Sequence, residues 1–311
     1  MYQRSVPYDA VARVAAVIVT YNSADLLGEC LRSLTDQGVD LVSVVVVDNA
    51  SRDTTLDVAA NANDLPVRIV EIGRNSGYAA GVNAGIAAVD LTTVDSVLVL
   101  NPDSRLTPGS LAVLASALAQ PGRGIAVPLL VNPDGSLQPS LRRAPTVTRA
   151  LVEALVPGEL AGRLGRLGEL VTDPRAYERP GPTAWATGAA MLISATALAE
   201  IGPWDESYLL YSEETEYLLR AADVGWVTWF EPAAVVEHIG GESTTSPMLA
   251  SLLTVNRVTL FRRRHGRLRA AAFYAAVVTG QAIRTLLGRR TARASFVALV
   301  RPSRRIRELA S

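Results

Sequence analysis

The residues able to do chemistry in this 311-residue chain stand directly behind its apolar runs. One run ends in Thr20-Tyr21-Asn22, the next in Asp48-Asn49, and a later one in Asn101-Pro102-Asp103. Two adjacent carboxylates, Glu213 and Glu214, follow Ser212. Such residues make turns and caps, and acids in a first helical turn complement the helix dipole. They are also the carboxylates and amides that would meet a ligand outside the carboxyl ends of the strands in an open α/β sheet. Other chemistries are excluded. All 30 basic residues are Arg, which removes Schiff-base lysines, a pyridoxal phosphate anchor and the Lys of a Walker-type phosphate loop. The turn after the first run has no glycine, so a dinucleotide fingerprint is absent. Cys30, the single cysteine, recurs with Leu27, Leu31 and Leu34 at helical spacing and reads as a small buried hydrophobe.

The elements that must position these residues alternate. Strands are expected at Val14 to Thr20, Val42 to Val47, Val67 to Glu71 and Ser96 to Leu100, with helices over Ala24–Leu34, Thr54–Ala62, Ala79–Val89 and from Pro108 to Leu118. Continuous apolar strands are covered on both faces, which favours a parallel α/β sheet. From about Val147 to Pro182, glycines (Gly158, Gly162, Gly165, Gly168) and prolines interrupt short Leu-rich pieces, and a partly mobile excursion is expected. A strand at Ala189–Ile193, a helix at Ser212–Ala222 and a strand at Trp226–Phe230 follow. Gly77, Gly81 and Gly85 lie four apart on one helical face, suited either to close packing or to approach by a ligand.

In order along the chain, Val17-Ile18-Val19-Thr20-Tyr21-Asn22-Ser23, Val47-Asp48-Asn49-Ala50-Ser51, Asn75 to Gly85, Asn101-Pro102-Asp103, Trp185-Ala186-Thr187-Gly188-Ala189, Trp204-Asp205-Glu206 to Arg220 and His238-Ile239-Gly240-Gly241-Glu242-Ser243 form one pattern. It resembles family 2 glycosyltransferases of the GT-A type, and within them the cell-wall rhamnosyltransferases that act on lipid-linked sugars. Pro133 to Pro145 also resembles that subgroup. The resemblance implies a GT-A fold, a Rossmann-like, mainly parallel sheet flanked by helices, over residues 1–246, and an Arg-rich helical extension over 247–311. It implies an inverting transfer of a sugar, rhamnose from dTDP-rhamnose, from a dTDP- or UDP-linked donor. Thr20, Tyr21, Asn22 and Asp48 would hold the nucleotide, with Asn75, Gly77, Asn83, Asn101 and Asp103 on the same donor side. Asp103 stands at the metal-binding D-x-D, His238 supplies a further ligand, and a divalent cation, Mg2+ or Mn2+, is the expected cofactor. Asn101 replaces the first acid, as in the rhamnosyltransferase-like subgroup. Glu214 occupies the place of the family's catalytic Asp, one methylene longer, and Glu213 is the alternative base. Trp185, Gly188, Ala189, Trp204 and Asp205 are expected around the acceptor.

The chain's zero net charge conceals two opposite segments. Residues 1–256 carry 16 Arg against 29 acids, and residues 257–311 carry 14 Arg against Glu308. The apolar run Ala270 to Ile283 spans roughly 21 Å as a helix, short of the ~30 Å hydrocarbon core. Two expectations follow for this segment: an interfacial helix on the anionic inner face of the plasma membrane, or a hairpin whose Arg pair with the acidic domain. Nucleic-acid binding is disfavoured by sparse aromatics. Residues 2–11 lack a signal-like apolar region, and a cytoplasmic, peripherally membrane-bound protein is expected. A homodimer stays open. So do a galactofuranosyl or mannosyl specificity and a catalytically idle nucleotide-sugar-binding role.

Overall fold

A computed structural model describes residues 11–156, 167–240, 246–306 and 308. Residues 1–10, Gly158, Gly162, Gly165 and the Gly241-Glu242-Ser243 of the histidine motif lie outside them. The first four strands are β1 (Arg13–Thr20), β2 (Asp40–Asp48), β3 (Val67–Glu71) and β4 (Ser96–Leu100), and they pair in parallel in the order β3-β2-β1-β4. Helices α1 (Ala24–Arg32), α2 (Thr55–Ala60) and α3 (Tyr78–Ala87) connect them. Alternate residues of β1 enter different cores. Ala15, Val17 and Val19 join one cluster with Ala79 and Val82 of α3, while Val14, Ala16 and Ile18 join another with Leu27, Cys30 and Leu31 of α1. Both faces of the sheet are thereby covered, as the uninterrupted apolar runs require.

The sheet continues through β10 (Ala190–Ser194), β6 (Arg123–Val131), β11 (Val227–His238) and β5 (Ser104–Leu106), with β8 (Gly181–Thr183) beside β11. β10 runs antiparallel to both β4 and β6, so the parallel order is broken once in the middle of the sheet. β6 and the full length of β11 go beyond the sequence expectation. Helix α4 (Ser110–Leu118) precedes β6, α6 (Ala195–Ile201) follows β10, and α7 (Glu213–Asp223) precedes β11. A two-stranded ribbon, β7 (Leu141–Arg142) with β9 (Trp185–Ala186), stands apart from the sheet.

Strand register gathers the candidate residues. Thr20 aligns with Asp48 and Asp48 with Glu71, while Leu100 pairs with Ala190, so the start of antiparallel β10 lies at the carboxyl end of β4. His238 pairs with Ser104, beside Asp103. The glycine face of α3 serves packing rather than a ligand. A Cβ at Gly81 would lie 2.5 Å from Val19 Cγ1, and one at Gly85 2.3 Å from Val17 Cγ1. Only glycine lets α3 approach β1 this closely.

The region expected to be a loose excursion contains an ordered helix, α5 (Val147–Leu155), and the C-terminal segment forms α8 (Pro247–Arg264), α9 (Arg267–Leu286) and α10 (Arg290–Val300). α5 packs with these three. Ala150 shares a separate small core with Phe261, Phe273, Ala276, Val277 and Leu299. Arg257 reaches Glu153 at 2.7 Å and Glu169 at 2.6 Å, Arg263 reaches Asp205 at 2.9 Å, and Arg264 reaches Asp223 at 2.8 Å. The expected pairing of basic tail with acidic domain is therefore present.

Candidate active site

At the donor side, the end of β2 is tied into a rigid turn. Both oxygens of Asp48 are occupied: Oδ1 accepts from the Thr20 hydroxyl at 3.1 Å and from the Ser51 hydroxyl, and Oδ2 accepts from the Ser51 N–H at 2.8 Å. Asn22, in the left-handed region at φ 50°, accepts at Oδ1 from the Arg52 N–H at 2.8 Å and donates its own N–H to Ser51 Oγ. Thr20 and Asp48 are buried, whereas Tyr21 is half-buried and Asn22 exposed. This interlock sets the shape of the edge and leaves Tyr21 as the partly open side chain upon it. Next to it, Asn75 Oδ1 accepts from the Gly77 N–H at 3.3 Å. Gly77 stands at φ 91°, where a Cβ would lie 2.3 Å from the Leu209 carbonyl, so no other residue fits. Asn101, half-buried, donates its N–H to the Ala189 carbonyl at 2.9 Å.

The half-buried Asp103 faces His238. Oδ1 lies 3.5 Å from His238 Nε2, and Oδ2 accepts from the Gly240 N–H at 3.1 Å. Burial pushes the Asp103 carboxyl up, but hydrogen bonds and the attraction of His238 outweigh it and hold the group below the usual carboxylate range. Gln138 orients the ring. Its amide nitrogen donates to Asn132 Oδ1 and to the His238 carbonyl, each at 3.0 Å, which turns its Oε1 to His238 Nδ1 at 2.7 Å. Nδ1 therefore donates to Gln138, and Nε2 is the ring nitrogen turned to Asp103. Among the described residues no three His, Cys, Asp or Glu side chains gather as a metal cage. An imidazole nitrogen and an ionised carboxylate at this spacing still suit a divalent cation that takes its other oxygens from a ligand's phosphates.

Glu213 and Glu214 open α7 from an unusual turn. Tyr211 and Ser212 both adopt left-handed backbone, at φ 69° and 76°. The turn is clamped on two sides. Asn256 of α8 donates its amide to the Leu210 and Tyr211 carbonyls at 3.0 and 3.1 Å, and the Tyr78 N–H donates to the Leu209 carbonyl at 3.0 Å. A backbone conformation costing about 1–3 kcal/mol per residue is thus over-determined by its neighbours at the point where the two carboxylates emerge. Gly188 leaves the space. A Cβ there would lie 3.2 Å from Glu214 Cβ, so this glycine accommodates Glu214.

Glu213 is buried with Oε2 unpartnered among the described residues, and burial together with the charge of Glu214 pushes it well above its ordinary value. Burial also raises Glu214, opposed by the guanidinium of Arg142. Glu214 is half-buried, the more open of the two. Tyr78, whose hydroxyl is buried and unpartnered, feels the charges of Glu213, Glu214 and Asp103 together.

One prediction arises here. The raised Glu213 binds its proton more tightly in the folded than in the unfolded chain, so its contribution to stability is complete below about pH 4.5 and is lost as pH rises through the folded value, at about 1.4 kcal/mol per pH unit. Glu213→Gln should therefore melt above the wild type at neutral pH, with a gap that opens from pH 4.5 upward. A gap that narrows with rising pH in scanning calorimetry would contradict this.

Several sequence assignments are corrected. Trp204 is core: it stacks on Tyr217 at 4.6 Å between centroids and meets Tyr78 edge-on. Trp185 is also buried, its indole N–H on the Arg143 carbonyl at 3.1 Å. Ala189 is wholly buried, its carbonyl spent on Asn101 and Ser104. These three can shape an acceptor pocket only from behind. Asn83 binds Trp204 through both backbone groups and Glu206 through its side chain, which makes it a brace for that loop rather than a nucleotide contact. Asp205 is half-buried and held by Arg263. Tyr78, Gln138, Arg142 and Asn256 were not singled out by sequence, although all but Asn256 lay within the quoted stretches Asn75 to Gly85 and Pro133 to Pro145.

Residues 15–162 match the model of glycosyl transferase family 2. The chain is 33% identical over 244 residues to the N-acetylglucosaminyl-diphospho-decaprenol L-rhamnosyltransferase of Mycobacterium tuberculosis, covering 73% of this chain and 76% of that protein. Among solved structures, the mannosyltransferase PcManGT of Pyrobaculum calidifontis, in complex with GDP-Man and Mn2+, superposes with a TM-score of 0.59 at 19% identity, over 95% of this chain and 83% of that one. The glucosyl-3-phosphoglycerate synthase of Mycobacterium tuberculosis, in complex with Mg2+ and UDP, gives 0.53 at 16% identity, over 80% and 79%. These likenesses show the shared fold. The motif order, the mixed sheet that gathers those motifs on one edge and the mycobacterial relative agree: the chain belongs to glycosyl transferase family 2.

Proposed function

We propose that the protein is an inverting rhamnosyltransferase, moving rhamnose from dTDP-rhamnose to a lipid-linked or glycolipid acceptor in cell-envelope biosynthesis, at the inner face of the plasma membrane. The observation that carries this reading is that Asp103, paired with His238, follows the end of β4 while Glu214 packs on Gly188 just before β10, whose start pairs with that same end of β4. The likeness to the mycobacterial rhamnosyltransferase supports the choice of donor and acceptor class. No helix among the described residues is long and apolar enough to cross a membrane, which suits peripheral attachment.

In this reading Glu214 accepts the proton of the acceptor hydroxyl as that oxygen bonds to the anomeric carbon and the bond from that carbon to the diphosphate breaks. Arg142 favours the ionised, proton-accepting form of Glu214. Asp103 and His238 would hold a divalent cation, which when bound neutralises charge on the departing diphosphate. Gln138 keeps His238 in the tautomer that can ligate. Tyr21, Asn75 and Asn101 border the donor side, and the space before Glu214 and Gly188 takes the acceptor.

Asp103→Ala is expected to weaken dTDP binding about tenfold or more in the presence of Mg2+ or Mn2+ and to leave metal-free binding little changed, as measured by calorimetry. Equal affinity of variant and wild type with metal would place the donor site elsewhere. In a thermal-shift panel, dTDP-rhamnose should stabilise the protein more than UDP- or GDP-linked sugars.

A further inference from the structure

The outward face of α9 is uncharged along its whole length. Leu268 and Leu286, 89% and 88% exposed, are 18 residues apart, five helical turns, and so lie on one line roughly 27 Å long. Between them the same face shows Ala271, Ala272, Ala275 and Thr279, all exposed, while Phe273, Ala276, Val277 and Gly280 on the other side are buried. Leu287 and Leu155, 73% and 74% exposed, extend the apolar surface at the C-terminal end of α9, where Arg284 ties α9 to the Glu153 carbonyl of α5. At the other end the face runs into an apolar groove of about 540 Å³ that Leu268 and Ala272 share with Pro145, Val147, Phe261 and His265. The aligned leucines, the alanines between them and the groove form one continuous apolar surface, the kind that marks an interaction site.

The charges around the face identify what covers it. Arg267 and Arg269 stand at one end and Arg289, Arg290 and Arg293 at the other, all exposed, and the ion pairs of this segment are made by Arg257, Arg263 and Arg264 instead. No acid occurs between Arg257 and Arg307. A second copy docking through α9 would bring Arg against Arg in either orientation, whereas an anionic bilayer offers apolar depth for the leucines and negative headgroups for both Arg clusters.

We propose that α9 lies flat on an anionic lipid bilayer, with Leu268, Leu286 and Leu287 entering the acyl region, the Arg at both ends on headgroups, and the groove beside Leu268 receiving an acyl chain. The proposal deepens the membrane-facing part of the proposed function, and its test needs neither donor nor turnover. The full chain is floated with phosphatidylcholine vesicles, with and without phosphatidylglycerol, at low and high salt. Wild type is expected to float with the anionic vesicles only and to be released by salt, and Leu268→Glu/Leu286→Glu to float about tenfold less at an unchanged melting temperature. Failure of the wild type to float, or equal flotation of the double variant, overturns the proposal and leaves the transferase reading standing. Light scattering supplies a second arm. A dimer in solution that the double variant converts to monomer would assign the face to a second copy and overturn it as well.

Discussion

Glu214→Gln is expected to lower kcat by about 10²–10⁴-fold, the usual contribution of a positioned base, while leaving the affinity for dTDP with metal unchanged. The amide keeps the shape of the side chain and its packing against Gly188 but cannot accept the acceptor's proton. Because Glu214 is raised by burial and works only when ionised, kcat/KM of the wild type should climb with pH through a value above the ordinary 4.5 of a glutamate. Glu213→Gln should leave that limb where it is, because the more strongly raised Glu213 is still protonated when Glu214 ionises, and should keep turnover. The opposite outcome, an inactive Glu213→Gln beside an active Glu214→Gln, would transfer the role to the deeper carboxylate.

Breaking the Arg257 bridge is expected to have the largest effect on stability. Its guanidinium serves two carboxylates, Glu153 and Glu169, whose side chains are 15% and 9% exposed. The two share it unequally. Glu153 is held below the usual range, whereas in the deeper Glu169 burial outweighs the cation and the group is raised. Arg257→Met would leave both without their partner. Loss of one member of a buried pair costs about 3–5 kcal/mol, and since a quarter of the Arg257 side chain is exposed we expect about 2–4 kcal/mol. The loss should shrink as the pH falls and the carboxylates take up protons. It should be largely recovered in Arg257→Met/Glu153→Gln/Glu169→Gln, read as denaturant midpoints at constant slope. A wild-type midpoint for the single variant would mean that the bridge contributes nothing.

The parallel half of the sheet is legible in sequence because β1, the second half of β2 and β4 are buried on both faces and leave apolar runs, while the half-buried edge strand β3 still shows Val67, Ile69 and Val70. β6 is not legible: Gly124 and Pro128 interrupt it, and both weaken a strand reading although the strand is interior. The edge residues Thr20, Asp48, Asn101 and Asp103 were locatable because each stands at or within three residues of the carboxyl end of a strand. Their roles were less so. Asp48 spends its oxygens on a turn, and Trp204 reads as a binding aromatic yet stacks in the core; these outcomes depend on partners far along the chain. Asn256 and Arg257 show the limit most plainly. In sequence they are two polar residues in a basic helix, and only the packing of α8 brings one to the Tyr211 turn and the other to Glu153 and Glu169.

The antiparallel insertion of β10 also sets a timetable for biosynthesis. β4 presents the edge Ser-Val-Leu-Val-Leu, and its partner begins at Ala190, some 90 residues after Leu100. At a synthesis rate of 5–20 residues per second that edge waits roughly 5–20 s with its backbone unpaired and its apolar side chains half covered. An open, uncharged strand is a template for other chains. Recombinant yield is accordingly expected to depend on chaperone supply and slow, cool induction more than on the melting temperature of the finished protein.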